Sequence, residues 1–212
     1  MFEKVISKAT KSNMELLRLL CKDYYLVGET GVALQLGHRQ SLDLDFFTPM
    51  DIDTNLCIER LIEKGDFILE KKSPNTVIGI FEGTKVSFFK YPYPLLFSTK
   101  DFMGIKVADI LDIACMKMDA ISSRGSRRDF IDLYVICQQK RHLREILGFF
   151  REKYKSVNYN IIHILKSLTY FDDADKEPMP NLLIEIDWAK VKDFFESEVK
   201  EIKWGGNSGR QG

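Results

Sequence analysis

An α+β fold is expected for this chain of 212 residues: a mixed sheet flanked by helices, followed by a C-terminal helical region. Three observations predict it. Short segments with the two-residue alternation of strands cluster between residues 24 and 90. From Val107 onward the apolar residues take the 3.6-residue period of helices. An α+β half, with short helical segments among its strands, comes first and a helical half follows it. The change of character near residue 105 divides the chain into an α+β core over 1–105, a helical region over 106–204 and a tail over 205–212.

Residues 2–22 read as helix, on the dense apolar stripe of Leu16, Leu17, Leu19 and Leu20. Tyr24–Val27 is a short strand running into a turn at Gly28. Thr30–Leu36 fits a helix ending at Gly37, because glycine takes the left-handed cap conformation readily. Leu42–Phe47 is a strand stopped by Thr48-Pro49, and Thr54–Glu63 a helix with Thr54 as cap, ending before Gly65. Phe67–Lys71, Thr76–Phe81 and Val86–Lys90 read as strands, the last two joined by a hairpin-like turn at Glu82-Gly83-Thr84. Tyr91-Pro92-Tyr93-Pro94 is an extended loop. Val107–Ser122, Arg127–Gln139, His142–Tyr154, Tyr159–Ser167 and Trp188–Lys200 follow as helices, with the acidic loop Asp172–Pro180 before the last. The tail has nothing to bury and is expected to be disordered.

Composition narrows the function. Thirty-one Lys and Arg balance thirty-one Asp and Glu. No global field draws the chain to nucleic acid or anionic lipid, so a plain basic RNA-binding module is disfavoured and any RNA contact must be a local patch. Cys21, Cys57, Cys115 and Cys137 form no C-x-x-C pair and read as buried free thiols of a reducing compartment. His38, His142 and His163 have no zinc-ligand spacing. No apolar run reaches about 18 residues and no signal peptide opens the chain. A cytoplasmic protein without a membrane partner is expected.

Chemistry concentrates at Leu42-Asp43-Leu44-Asp45-Phe46. Alternation puts Leu42, Leu44 and Phe46 on one face and both carboxylates on the other, roughly 7 Å apart. Such a pair can hold divalent cations; a half-buried strand with a solvated polar face gives the same pattern. Lys117, Arg124 and Arg128 lie seven and eleven residues apart, within about 20° of one another on a continuous helix. That cationic face suits phosphates. The other reading is a solvated face paired with Asp119 and Asp129, and a break at Ser122–Ser126 would put Arg124 in a loop. His38 and Arg39 follow the Gly37 cap and read as the rim of a cleft. The basic stretch from Lys140 to Lys155, Lys153 included, reads as a solvated helix.

Two segments resemble a known family. GETGVALQLGHRQSLDLDFF, residues 28–47, is similar to the first motif of the DNA polymerase β nucleotidyltransferase superfamily: a glycine turn, then D-x-D about a dozen residues later. More narrowly it resembles the AbiEii/AbiGii toxin family, with its pattern G-G-T-A-x-A-L-x-L-G-H-R-x-S-x-D-x-D-F-F. KMDAISSRGSRRDFIDL, Lys117–Leu133, resembles that family's K-x-x-A-x-x-x-R-x-x-x-R-D-x-x-D-L motif. Motifs and intervening chain span roughly residues 24–135, well over half of the sequence.

The resemblance implies a nucleotidyltransferase-type sheet. It also implies transfer of a nucleoside monophosphate from an NTP to a hydroxyl on RNA (tRNA) or protein, in a toxin–antitoxin or abortive-infection setting with a cognate antitoxin. Asp43 and Asp45 become ligands of Mg²⁺ or Mn²⁺. Asp43, Asp45, Lys117 and Arg128 become the catalytic set; Gly28, Thr30, Lys117 and Arg124 become the nucleotide-binding set. Two positions depart from the pattern. Glu29 stands where a small residue is usual, either repelling phosphate or complementing a helix start. Thr30 beside it suits a phosphate contact or a helix cap. Ser87 stands where the usual K-V-D-F has its third carboxylate, and a serine hydroxyl is a poor Mg²⁺ ligand and base. Glu82 is the nearest substitute, with turn residue as its other reading. The alternative function is therefore a degenerate member that binds nucleotide or a partner without turnover.

Overall fold

The computed structural model describes residues 1–205; the tail at 206–212 lies outside the described residues. Seven strands, β1 (Tyr25–Leu26), β2 (Leu44–Thr48), β3 (Phe67–Ser73), β4 (Thr76–Phe81), β5 (Thr84–Lys90), β6 (Lys100–Phe102) and β7 (Ile105–Val107), form one mixed sheet in the order β3-β4-β5-β2-β1-β7-β6. The helices are α1 (Lys8–Leu17), α2 (Gly28–Leu36), α3 (Thr54–Lys64), α4 (Ile110–Arg124), α5 (Arg127–Gln139), α6 (Leu143–Lys153), α7 (Ile161–Ser167) and α8 (Trp188–Gly205). The α+β expectation is met. The chain divides into two compact units, Met1–Ile113 and Ala114–Gly212.

In the first unit, alternation builds the core. Leu26, Leu44, Phe46, Val77, Val86 and Phe88 are fully buried. They join one apolar cluster with Met14 and Leu17 of α1 and with Cys57 and Leu61 of α3. Full burial of each Leu or Phe stabilises by ~1.5–3 kcal/mol. β2 lies in the middle of the sheet, antiparallel to β1 and parallel to β5. The second unit is helical, and Phe130 of α5 anchors its interior against Phe171, Trp188 and Phe195.

Several expectations are corrected. The single helix over 2–22 is broken: a 3-10 turn at Glu3–Val5 precedes α1, and a second follows at Leu20–Asp23. The Ser7 hydroxyl explains the restart, since it accepts the Thr10 amide at 2.9 Å as an N-cap. α3 is capped by Asp53, not Thr54; its carboxylate accepts the Asn55 and Leu56 amides, each at 3.1 Å. The hairpin of β6 and β7 was not foreseen. Its three-residue strands are too short to show alternation, but Met103 and Gly104 both take positive φ, the mark of a tight hairpin turn. The four cysteines are buried and free. No helix among the described residues is long and apolar enough to cross a membrane.

Candidate active site

The carboxylates lie where the central strand begins. β2 starts at Leu44, so Asp43 is the last loop residue before it and Asp45 the second residue within it. Leu42, expected on the buried face, lies in that loop and is 59% exposed. Asp43 and Asp45 are both half-buried. Asp45 pairs in register with Ser87 on the parallel neighbour β5. Residues so paired point to the same side of a pleated sheet, so Ser87 stands beside Asp45.

Gly28 packs against the same carboxylate. Its φ of +63° suits glycine, and a Cβ added there would collide with Asp45 Oδ2. The neighbouring Val27 amide donates to the Asp45 carbonyl at 3.0 Å. Helix α2 begins at Gly28, so its N-terminal end, which favours anions, sits at the carboxylate strand.

The rest of the first motif braces this arrangement. Thr30 is fully buried. Its hydroxyl bonds to Ser41 Oγ at 2.8 Å and donates to the Asp43 carbonyl. It therefore fastens α2 to the carboxylate loop, and it is not the helix cap, since Val27 holds that position. Glu29 faces Arg39, whose guanidinium lies 3.0 Å from its carboxylate and also reaches the Gln40 carbonyl at 3.3 Å. The acidic substitution in the glycine turn thus comes with its own counter-charge. Arg39 and His38 are buried, not at a cleft rim. Nothing in the sequence order pointed to Arg39 as the partner of Glu29, ten residues away; only the return of the chain from α2 to β2 brings them together. Glu82 accepts the Asp66 amide at 2.8 Å and sits at φ +45°, so it is a turn residue and not a replacement carboxylate.

The second motif has a different character. Gly125, at φ +57°, separates α4 from α5, so Lys117, Arg124 and Arg128 do not share one helix face. Lys117 is only 3% exposed. Its ammonium lies 2.7 Å from Asp129 and 2.7 Å from Asp132, both fully buried. That is a buried ion cluster, so Lys117 does not stand on the open cationic face that its spacing suggested. Arg124 forks onto Asp129 through Nε at 2.8 Å and a terminal nitrogen at 3.1 Å, while its side chain stays 62% exposed. Burial alone would push the Asp129 carboxyl up, but Lys117 and Arg124 outweigh it and hold the group below its usual range. Asp119 accepts the Tyr159 hydroxyl at 2.6 Å. Arg128 is exposed on α5, and Lys153, expected on a solvated helix, is buried. Arg124 also lines a cavity of about 370 Å³ with His163, Lys166 and Tyr170.

Comparison with known proteins decides the family. The family described as nucleotidyl transferase AbiEii toxin, type IV toxin–antitoxin system, matches residues 89–205. The chain belongs to that family. The matched span contains the Lys117–Leu133 motif and leaves the AbiEii chain's carboxylate strand outside it, so the first motif rests on its own geometry. An uncharacterised protein of Aquifex aeolicus is 40% identical over 189 residues, covering 86% of this chain and 89% of that one. Among solved structures, the chain resembles the nucleotidyltransferase toxin MenT4 of Mycobacterium tuberculosis with a TM-score of 0.57 at 13% identity, covering 95% of this chain and 88% of that one. It also resembles a Helicobacter pylori protein described as a nucleotidyltransferase, with a TM-score of 0.52 at 16% identity over 94% and 96% of the two chains. At such identities these two likenesses show the fold alone.

Proposed function

We propose that this AbiEii family member transfers a nucleoside monophosphate from an NTP to a hydroxyl on an RNA or protein acceptor, as a toxin opposed by a cognate antitoxin. The observation that carries the reading is the seating of the Gly28 turn directly on Asp45 at the start of α2. It puts a helix N-terminus, which attracts phosphate, against a carboxylate pair, which attracts divalent cations. The compartment that suits an NTP, RNA and four free thiols is the cytoplasm.

Asp43 and Asp45 fit Mg²⁺ or Mn²⁺ as cofactor. Among the described residues no group of three or more His, Cys, Asp or Glu gathers to hold a metal. Mg²⁺ does not need one, because it is commonly held by one or two carboxylates together with water and substrate phosphates. When bound, the ion neutralises phosphate charge and orients the groups that react. Gly28 lets the Asp45 carboxylate sit against the backbone at the start of α2, and the Thr30 hydroxyl holds the Asp43 loop in place. Ser87, neutral beside Asp45, is a weak base for the acceptor hydroxyl, so slow turnover is expected. Arg124 and Arg128 are exposed cations of the second unit, of a kind that suits phosphate.

Incubation with α-labelled NTP, Mg²⁺, and total cellular RNA and protein tests the proposal. Label should enter one acceptor class, and Asp43→Asn with Asp45→Asn should abolish it while the fold persists. Undiminished labelling by the folded double variant would overturn the assignment. Ser87 favours one second reading, nucleotide binding without turnover; its signature is Mg²⁺-dependent NTP binding, lost in the double variant, with no label transferred.

A further inference from the structure

The face that carries Asp45 also carries a row of aromatic rings. Across the sheet, Tyr25 of β1 pairs with Phe47 of β2, and Phe47 pairs with Phe89 of β5. One pleat earlier stands the polar pair Asp45 and Ser87. Alternation puts both rows on one face, opposite the fully buried Leu26, Phe46 and Phe88. Beyond β5 the chain is tied back by the Tyr91 amide, which donates to the Thr48 carbonyl at 2.7 Å.

These rings pack into a shelf. Phe47 meets Phe89 edge-on, with centroids 5.3 Å apart at 72°, and meets Tyr91 at 5.1 Å and 46°. Tyr91 meets Tyr93 at 5.0 Å and 74°. Such contacts fix the ring planes. All four rings are half-buried, whereas Phe46 and Phe88 on the opposite face are fully buried. Phe47 lies two residues beyond Asp45, roughly 7 Å along the strand. That is about the reach of a ribose between its phosphate and its base.

We infer that Phe47, Phe89, Tyr91 and Tyr93 form the subsite that receives the nucleobase of the NTP. The inference rests on the proposed function, because Gly28, Asp43 and Asp45 set where the phosphates lie. Continuity along β2 selects the occupant: a nucleotide held by phosphate at Asp45 extends its base over the next aromatic pleat. Stacking reads the face of a base and not its edge. The subsite therefore accepts all four bases, the larger purines more tightly.

The test compares ATP with inorganic tripolyphosphate, both with Mg²⁺, on the full chain by calorimetry. ATP should bind about tenfold or more tightly than tripolyphosphate, from base stacking. Tyr91→Ala should cut that ratio about five- to tenfold and leave tripolyphosphate binding unchanged, and Tyr91→Phe should restore it. An unchanged ratio in Tyr91→Ala overturns the shelf and points to the acceptor or an antitoxin as its occupant. Equal weakening of both ligands overturns it too. ATP binding that depends on Tyr91, without any tripolyphosphate binding, supports the shelf while the phosphate placement falls; no binding of either ligand overturns both. If Tyr91→Ala does not fold, Tyr93→Ala is read in the same way.

Discussion

The two units of this molecule each carry a pair of aspartates, and they hold them in opposite settings. Asp43 and Asp45 stand half-buried at the start of a central strand, with a glycine turn against one of them. Asp129 and Asp132 stand fully buried on α5, with the Lys117 ammonium held between them. In sequence both look like charged motifs of a catalytic protein. Burial separates them. A carboxylate pair open to solvent can exchange a cation or a phosphate-bound ion, whereas a buried pair locked to a lysine sets which helices pack and has no capacity to spare. Sequence similarity to a catalytic family attaches to both motifs, but only the first pair of aspartates is partly open to solvent.

The largest effect that would break this contrast is at Lys117. Lys117→Ala takes the ammonium away from two buried carboxylates, leaving the Arg124 fork on Asp129, and should destabilise the protein by about 3–5 kcal/mol in urea unfolding. Asp43→Asn should change stability by no more than about 0.5 kcal/mol. Comparable values for the two would refute the division of roles. The same cluster predicts an acid limit. Asp129 has its folded pKa held below the unfolded value of about 3.9, so its contribution is complete above that pH and fades as pH falls through the lower folded value. Stability should therefore drop below about pH 4, and less steeply in Asp129→Asn.

A smaller effect is expected at the exposed edge of the cluster. Arg124→Ala removes charge-assisted bonds to Asp129 and should cost about 1.5–3 kcal/mol, nearer the lower figure because the side chain is largely exposed. Loss of acceptor labelling without that cost would make Arg124 a contact and not a support. The smallest expected change is at Ser87. Ser87→Asp places a second carboxylate directly beside Asp45 and should destabilise the metal-free protein by about 0.2–1 kcal/mol. Added Mg²⁺ should return that loss and raise the rate of transfer. A variant indifferent to Mg²⁺ would show that the two positions do not cooperate.

Strong periodicity was legible. Thr76–Phe81 and Arg127–Gln139 have the bounds read from the sequence, and Gly37 takes the left-handed cap expected of it at φ +69°. The carboxylate strand was legible in kind but not in register. Leu42 looks like the start of an alternating run, and only the hydroxyl of Thr30, reaching across to the Asp43 carbonyl, shows that pairing begins at Leu44. β6 and β7 escaped because three residues cannot display a period. The burial of Lys117 was hard to read because lysine is rarely buried. A signal of it was present: Asp129 and Asp132 lie three apart on either side of the apolar pair Phe130-Ile131, so both fall on one buried face of α5.

The position of β2 at the middle of a seven-stranded sheet has a consequence for how activity would be lost. Its neighbours β1 and β5 hold it on both edges, so its amides can exchange with solvent only when the sheet itself opens. Asp45, paired with β5 and tied through its carbonyl to the Val27 amide, is held while the loops around it fluctuate. The segment from Tyr91 to Pro94 lies outside the strand ladder, tied to β2 by the Tyr91 amide and ring contacts, and is less firmly held than the strands. Mild heat or limited proteolysis should blunt discrimination among nucleotides while the hold on their phosphates persists.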